Sequence, residues 1–436
     1  SFTSVSGPST EHYGGFIFGA LARPYRPVRF VRAVGLASRM TYWIPLSLPV
    51  IAPALMRAGA ARRLQNIDSR GAPKVRSEQF DVDAANSLKI YRANANRSYT
   101  KLRRDHYVSV PVQLICNDDD PVVRGQGYAD ESKWVALLWR RDLKAGHWAP
   151  FSHAPAIAQA VTALTDHLEG APAARALRRA QVGRPRKAFG DTLVSVTGAA
   201  SGIGRATALA FAEAGAEVVV SDIDEAGAKA TAALIADRGG VAYAYALDVA
   251  DADAVERCAE QVCAAHGVPD VVVNNAGVGH GGRFLQTPAE HYDRVLDVNF
   301  GGVVNCCRSF GRRLVERGTG GHVVNVASMA AYTPARAMNA YPTSKAAVFM
   351  FSDCLRAELA AAGIGLTTVC PGTIDNAFAA RRYAPDKVAK AILAAVGKNQ
   401  AIRLVTPQAH VAYAVSRLLP SALRRAARSG SIQRFC

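Results

Sequence analysis

The sequence lacks the marks of a membrane-spanning, disulfide-stapled or metal-built protein. No run of 18 or more apolar residues occurs. The closest, from Ile44 to Met56, is interrupted by Pro45, Pro49 and Pro53, which excludes a transmembrane helix. The eight cysteines (Cys116, Cys258, Cys263, Cys306, Cys307, Cys354, Cys370, Cys436) form no CxxC pair and have no His at metal-ligand spacing. Neither a metal site nor a disulfide framework is expected, and a reducing cytoplasm is. There is no internal repeat and no helix-turn-helix, zinc-finger or RNA-binding pattern, so nucleic acid is not an expected partner. There is also no Met at position 1 and no signal-peptide pattern, and the chain reads as part of something longer.

What is present is globular: 436 residues, half of them apolar and a fifth charged, enough for two domains. The net charge of +17 is uneven, with 28 Lys and Arg against 14 Asp and Glu in residues 1–190 and 24 against 21 thereafter. A basic surface of this kind is ordinarily solvated; loose contact with an anionic membrane is the alternative. The segment 416–430 (SRLLPSALRRAARSG) reads as one basic amphipathic helix open to the same two readings.

Two patterns of elements follow one another. Residues 108–116 read as a strand ending in the turn cluster 117–121, followed by a helix over 127–138, a short strand over 140–143 and a helix over 154–168. This is an α/β layer. Residues 169–188, rich in Ala, Pro, Gly and Arg, read as a linker between domains 1–168 and 189–436. Beyond it, strands at 192–197, 217–221, 241–247, 271–274, 322–327 and 365–370 alternate with helices at 203–214, 226–236, 252–266, 290–317 and 338–362. That alternation predicts a Rossmann-type, doubly wound parallel sheet.

The first of these strands runs into Thr197-Gly198-Ala199-Ala200-Ser201-Gly202-Ile203-Gly204 and then a helix. Glycines at these offsets let the backbone turn sharply and approach a pyrophosphate, whose charge meets the helix N-terminal N–H groups. Asp222, 18 residues after Gly204, ends the second strand, where a carboxylate accepts from ribose hydroxyls and repels a 2′-phosphate. No Lys or Arg stands at 223–225, so NAD is expected over NADP. Asp248, ending the third strand, is read as holding the adenine amino group or as an ordinary helix N-cap.

Tyr341 and Lys345 are four apart in a helical segment and share one face. An ammonium there is expected to lower the phenol pKa so that Tyr341 passes a proton to or from a substrate oxygen while hydride moves to or from a nicotinamide. Ser328, at a strand end, is placed to hydrogen-bond that oxygen. Asn299 sits where a helix disfavours Asn and is read as holding a water or carbonyl in a proton relay.

TGAASGIG (197–204), NNAG (274–277), the Asn of DVNFGG, Ser328, Tyr-x-x-x-Lys (341–345) and Pro371-Gly372 stand in the order and spacing of the short-chain dehydrogenase/reductase family, which residues 189–376 resemble. The resemblance implies that Asn275, Ala276 and Gly277 buttress the sheet along the cofactor. It also implies that Pro371 and Gly372 face the nicotinamide with Ile374 near its carboxamide, that Lys345 also holds the nicotinamide ribose, and that the helices at 290–317 and 338–362 build a homo-oligomer. Two departures stand out: Asn376 replaces the family's usual Thr, and the segment from Ile374 to about Pro385 is short for a substrate lid.

Residues 108–168 resemble the last part of an α/β-hydrolase domain of the epoxide-hydrolase type. The resemblance implies a triad acid at Asp120 and a general base at His147. Residues 11–99 resemble the helical cap, with Tyr42, Tyr91 and Tyr99 as candidate cap tyrosines. The whole chain thus resembles a bacterial fusion of hydrolase and dehydrogenase lacking the hydrolase N-terminus. No nucleophile elbow precedes Asp120, so this half is expected to be inactive as written. The expected function is alcohol–carbonyl interconversion on a small, lipophilic molecule, with lipid metabolism suggested by the fusion. The rivals are an epoxide hydrolase whose nucleophile lies upstream and a non-catalytic NAD-binding scaffold.

Overall fold

The computed structural model describes residues 1–5, 17, 20–39, 45, 46, 48–63, 77–95, 107–120, 123, 128, 131–372 and 384–428. The chain divides into two compact units, Ser1–Arg184 and Pro185–Cys436. Tyr42, Tyr99, Ile374 and Asn376 lie outside the described residues, as does the short lid segment up to 383.

In the first unit, β1 (Phe2–Val5), β2 (Val112–Asn117) and β3 (Leu138–Leu143) form a parallel sheet in that order. Pro111 cuts β2 short of the expected start at 108, and Val108 instead makes an isolated bridge to Val135. The helix expected over 127–138 is not found over 131–138. Those residues hold a 3-10 turn at Glu131–Lys133 and then reach β3 through an isolated bridge at Val135, because Val135 and Leu138 are buried beside β2. Among the described residues, 27–95 supply helices only, including α1 (Pro27–Arg39) and α2 (Phe80–Ala95), which carries Tyr91.

α3 (Ala154–Leu168) follows the sheet, and the stretch expected to be a linker carries α4 (Arg175–Ala180). Leu177 of α4 is fully buried against Trp139 and Leu164, so 169–184 is anchored to the first unit and is not a free spacer. Composition hid this, because one Leu among Ala and Arg suffices when a Trp waits beneath it.

The second unit is a seven-stranded parallel sheet. Its strands are β4 (Leu193–Thr197), β5 (Glu217–Asp222), β6 (Val241–Ala246), β7 (Val271–Asn274), β8 (Gly321–Val326), β9 (Ile364–Cys370) and β10 (Ile402–Leu404). Their spatial order is β10-β9-β8-β7-β4-β5-β6. Both faces are covered, and the central strands β4, β5, β7 and β8 are accordingly rich in Val. One face packs Leu193, Val219, Val272 and Val323 against α7 (Ala252–His266), α9 (Gly302–Arg317) and α10 (Ala340–Leu359). The other packs Val194, Val218, Val273 and Val324 against α5 (Gly202–Glu213), α6 (Glu225–Asp237) and α11 (Pro385–Gly397). From β4 the chain winds outward through β5 and β6, then returns to β7 and winds the other way. The reversal between β4 and β7 opens a crevice at their carboxyl ends, where ligands of such sheets bind.

Three elements depart from the expected pattern. The helix expected over 290–317 is α8 (Ala289–Leu296), a π-turn over Asp297–Gly301, and α9. The three-residue β10 was not foreseen. The segment 416–430 is not one helix: α12 (Pro407–Leu418) ends at Leu419 and α13 (Pro420–Arg428) begins anew. Pro420 has no N–H to continue the first helix and sits well at the start of the second.

All four tryptophans, Trp43, Trp134, Trp139 and Trp148, lie in the first unit, so tryptophan emission reports on it alone. Leu177→Ala should lower that unit's stability by about 2–5 kcal/mol, read as an earlier urea midpoint in tryptophan fluorescence. An unchanged midpoint would restore the linker reading of 169–184.

Candidate active site

The crevice is built from the glycine turn outward. Gly198 and Gly202 have φ of +63° and +52°, values an L side chain resists. A Cβ on Gly204 would lie 2.0 Å from the Gly198 carbonyl oxygen, and one on Gly198 would lie 2.7 Å from the Ala276 Cα. Ser201 caps α5 without a side-chain hydrogen bond, leaving first-turn N–H groups without that partner. Asn275 locks the turn from the neighbouring strand. Its Nδ2 donates to the Thr197 and Gly198 carbonyls at 3.0 and 3.1 Å. Thr197 Oγ1 in turn accepts from the N–H groups of Asn275 and Ala276.

Asp222 closes one end. Its Oδ2 accepts from Ala200 N at 2.8 Å and its Oδ1 from Asp224 N at 3.0 Å, tying β5 to the glycine turn while its carboxylate lines the cavity. Asp248 is not the N-cap of α7; Asp251 is, accepting from Ala254 N at 2.9 Å. Asp248 instead pairs with Arg294 at 3.2 Å, both on the cavity wall. Arg294, on α8, was not among the candidate residues, and nothing in its local sequence marks it.

At the other end, Ser328 follows β8 and accepts from Ala330 N at 3.1 Å. Ser328 and Tyr341 line the same end of the cavity. Lys345, one turn further along α10, is buried beneath, with Nζ 5.8 Å from the Tyr341 ring centroid and donating to the Val326 carbonyl at 2.9 Å. Asn299 stands in the π-turn, fully buried. Its Oδ1 accepts from Val278 N at 2.7 Å, and its Nδ2 donates to Val278 O and to Ser344 Oγ. Ser344 Oγ donates to the Tyr341 carbonyl at 2.8 Å. Ser344 was missed, although its place three residues after Tyr341 puts it on a neighbouring face of the same helix. Pro371 accepts from Met329 N at 2.8 Å, which sets the loop after β9 beside Ser328. A Cβ on Gly372 would meet Thr406 Oγ1 at 2.1 Å.

These residues line one cavity of about 770 Å³, running from Gly198, Ser201, Gly202, Ile203 and Asp222 past Asn275, Ala276 and Gly277 to Ser328, Tyr341, Lys345, Pro371 and Gly372. That volume lies in the range of cofactor pockets. A Cβ on Gly202 would meet nothing within 4 Å, so the helix N-terminus opens on the cavity and fits an anion. The residues present therefore fit a dinucleotide, with diphosphate at the glycine turn and ribose hydroxyls near Asp222. Among the described residues named for cofactor contact, Thr197 and Gly204 do not line the cavity; Gly204 is buried against the Gly198 carbonyl, and Thr197 is the other case. It is buried, and its hydroxyl serves the Asn275 loop. Among the described residues no group of three or more His, Cys, Asp or Glu is placed to hold a metal.

Burial raises the Tyr341 phenol above its ordinary value, with the nearby Ser328 hydroxyl acting in the other direction. Burial also brings the Lys345 ammonium down to about 8. The expectation that Lys345 leaves the phenol below its ordinary value is therefore corrected, because the loss of water around the ring outweighs its neighbours.

The first unit holds a separate pair. Asp118 N and Asp119 N donate to the Leu143 and Ala145 carbonyls, and Asn117 Nδ2 donates to Gly146 O, binding the loops after β2 and β3 together. His147 Nδ1 thereby lies 2.8 Å from Oδ2 of the fully buried Asp120, whose Oδ1 accepts from Val123 N.

A family model described as short chain dehydrogenase matches residues 192–387. A Mycobacterium tuberculosis protein described as "Probable oxidoreductase EphD" is 56% identical over 462 aligned positions, covering 98% of this chain and 78% of that protein; its Mycobacterium bovis counterpart gives the same figures. The 1-deoxy-11-beta-hydroxypentalenate dehydrogenase of Streptomyces exfoliatus is 40% identical over 44% of this chain and 70% of its own. The D-threitol dehydrogenase of Mycolicibacterium smegmatis is 38% identical over 41% and 68%. A motif set read from the second unit and a likeness that runs through both units thus agree, and the chain belongs to the short-chain dehydrogenase family of oxidoreductases.

Proposed function

We propose that the second unit interconverts an alcohol and a carbonyl with NAD, using Tyr341, Lys345, Ser328 and Asn299. The observation that carries this reading is that Ser328, Tyr341 and the buried Lys345, whose Nζ lies 5.8 Å from the Tyr341 ring centroid, share the wall of the cavity that begins at the glycine turn. Ser328 orients the substrate oxygen and Tyr341 exchanges a proton with it. Lys345 lends positive charge beneath the ring, and Asn299 positions α10 through Ser344. When bound, the nicotinamide supplies or accepts the hydride. Asp222 favours NAD, since its carboxylate would repel a 2′-phosphate. Val278, Met329, Ala330, Ala337 and Met338 line the cavity without charge and suit a lipophilic substrate. The names of two relatives, dehydrogenases of 1-deoxy-11-beta-hydroxypentalenate and of D-threitol, support the alcohol–carbonyl reading.

Turnover of a panel of lipophilic alcohols and ketones with NAD⁺ or NADH should fall roughly 10²–10⁴-fold in Tyr341→Phe, with cofactor binding retained. Asp222→Asn should narrow the preference for NAD over NADP in the same assay. Equal turnover by the parent and Tyr341→Phe would remove the proposal.

The pH dependence has a definite sign. With its phenol raised, Tyr341 stays protonated through the neutral range and can give a proton to a carbonyl. Lys345 loses its charge above about 8. Carbonyl reduction should therefore hold its kcat/KM at neutral pH and fall above about 8, whereas alcohol oxidation, which needs the phenol deprotonated beside a cationic Lys345, should rise toward about 8 and gain no more above it. Parallel slopes for the two directions would contradict these roles.

We further propose that the first unit is α/β-hydrolase-like, with His147 oriented by Asp120. The 2.8 Å pair after two adjacent parallel strands supports this. With no nucleophile elbow before Asp120, an aryl epoxide should give no more diol with the parent than with His147→Ala; a clear excess would overturn the expected inactivity.

A further inference from the structure

We propose that the helix pair α12–α13 docks on an anionic lipid bilayer. The charge is concentrated there to a degree that the half-chain balance conceals. From Lys387 to Cys436 the sequence has nine Lys and Arg and no Asp or Glu, while residues 191–386 have 15 against 21. The second unit thus carries its entire basic excess in its last 50 residues. Arg417, Arg424, Arg425 and Arg428 have no carboxylate partner among the described residues; Arg417 lies over the Tyr413 ring instead.

The geometry sorts these residues into one outward face. On α13, Pro420, Ser421, Arg424, Arg425 and Arg428 are exposed and fall within one helical arc, while Ala422, Leu423, Ala426 and Ala427 are half-buried on the other. At the corner broken by Pro420, Leu418 and Leu419 are 78% and 58% exposed, next to the arginines. Three arginines flanked by two exposed leucines match a bilayer surface, where cations meet anionic headgroups and short apolar side chains enter the acyl boundary. Nucleic acid would satisfy the arginines but leave the leucines in water. Arg336, on the cavity wall, donates to the carbonyl of Arg428 at the end of α13, so the docking face lies beside the cavity.

The test is co-sedimentation of the whole chain with vesicles of equimolar phosphatidylglycerol and phosphatidylcholine, or of phosphatidylcholine alone. Binding is expected only to the anionic vesicles, with release at about 0.5 M salt, where screening is short-ranged. At roughly fivefold per arginine, the triple variant R424A/R425A/R428A should bind about a hundredfold more weakly. Its thermal midpoint should be unchanged, since these side chains face outward. Equal binding to neutral vesicles, undiminished binding by the triple variant, or tighter binding to a random duplex DNA than to the anionic vesicles would overturn the proposal. The readout is independent of the chemistry proposed for the cavity.

Discussion

The second unit depends on the amide of Asn275. Where the sheet reverses between β4 and β7, two strand ends diverge, and nothing in the ladder itself sets the width of the gap. Asn275 sets it, donating to two carbonyls of the glycine turn while its own backbone and that of Ala276 are held by the Thr197 hydroxyl. The approach is so close that Gly198 has no room for a side chain against Ala276. A charged or bulky group here would force the crevice open. An amide does not, because it is neutral and satisfies carbonyls that would otherwise stay buried and unpaired.

From that clamp, contacts run without a gap to the chemical end. A Cβ on Gly277 would lie 3.1 Å from Asn299 Oδ1 and 3.3 Å from Lys345 Nζ, so the loop after β7 must pass at backbone distance from both. Val278 then exchanges two hydrogen bonds with the Asn299 amide, and Ser344 carries the connection to the Tyr341 carbonyl. The π-turn at Asp297–Gly301 belongs to the same device. An extra residue in the helix lets Asn299 turn its amide toward Val278 and α10.

The residues that line the cavity were legible because each is bound to a motif whose spacing has a geometric meaning: glycines where backbone must approach backbone, Tyr and Lys one turn apart, Ser at a strand end. The alternating core was legible for the same reason, since Leu193 and Val194 serve opposite faces and the strand period says so. Long-range partners were not. Arg294 reaches Asp248 across 46 positions of chain, and Leu177 finds Trp139 only because α4 folds back on β3. The stretch from Glu131 to Leu138 suits a helix by its apolar residues as well as it suits a strand approach, and burial of Val135 and Leu138 beside β2 decided between them. Asp248 was open between two roles, and the cap three residues later shows how little a carboxylate at a strand end specifies by itself.

The corrected electrostatics sharpen the chemistry. Burial penalises each charge taken alone, raising the Tyr341 phenol and lowering the Lys345 ammonium. Read separately, the two shifts would leave both groups neutral and idle in alkali. But the penalties are not independent. With Lys345 cationic, a phenolate above it completes a neutral pair, whereas a phenolate above a neutral amine is an isolated buried charge. The ammonium lies 5.8 Å from the ring centroid, held by the Val326 carbonyl, near enough to matter. The lysine therefore serves less to make the tyrosine acidic at rest than to limit what it costs the tyrosine to lose its proton, and that cost arises only during turnover.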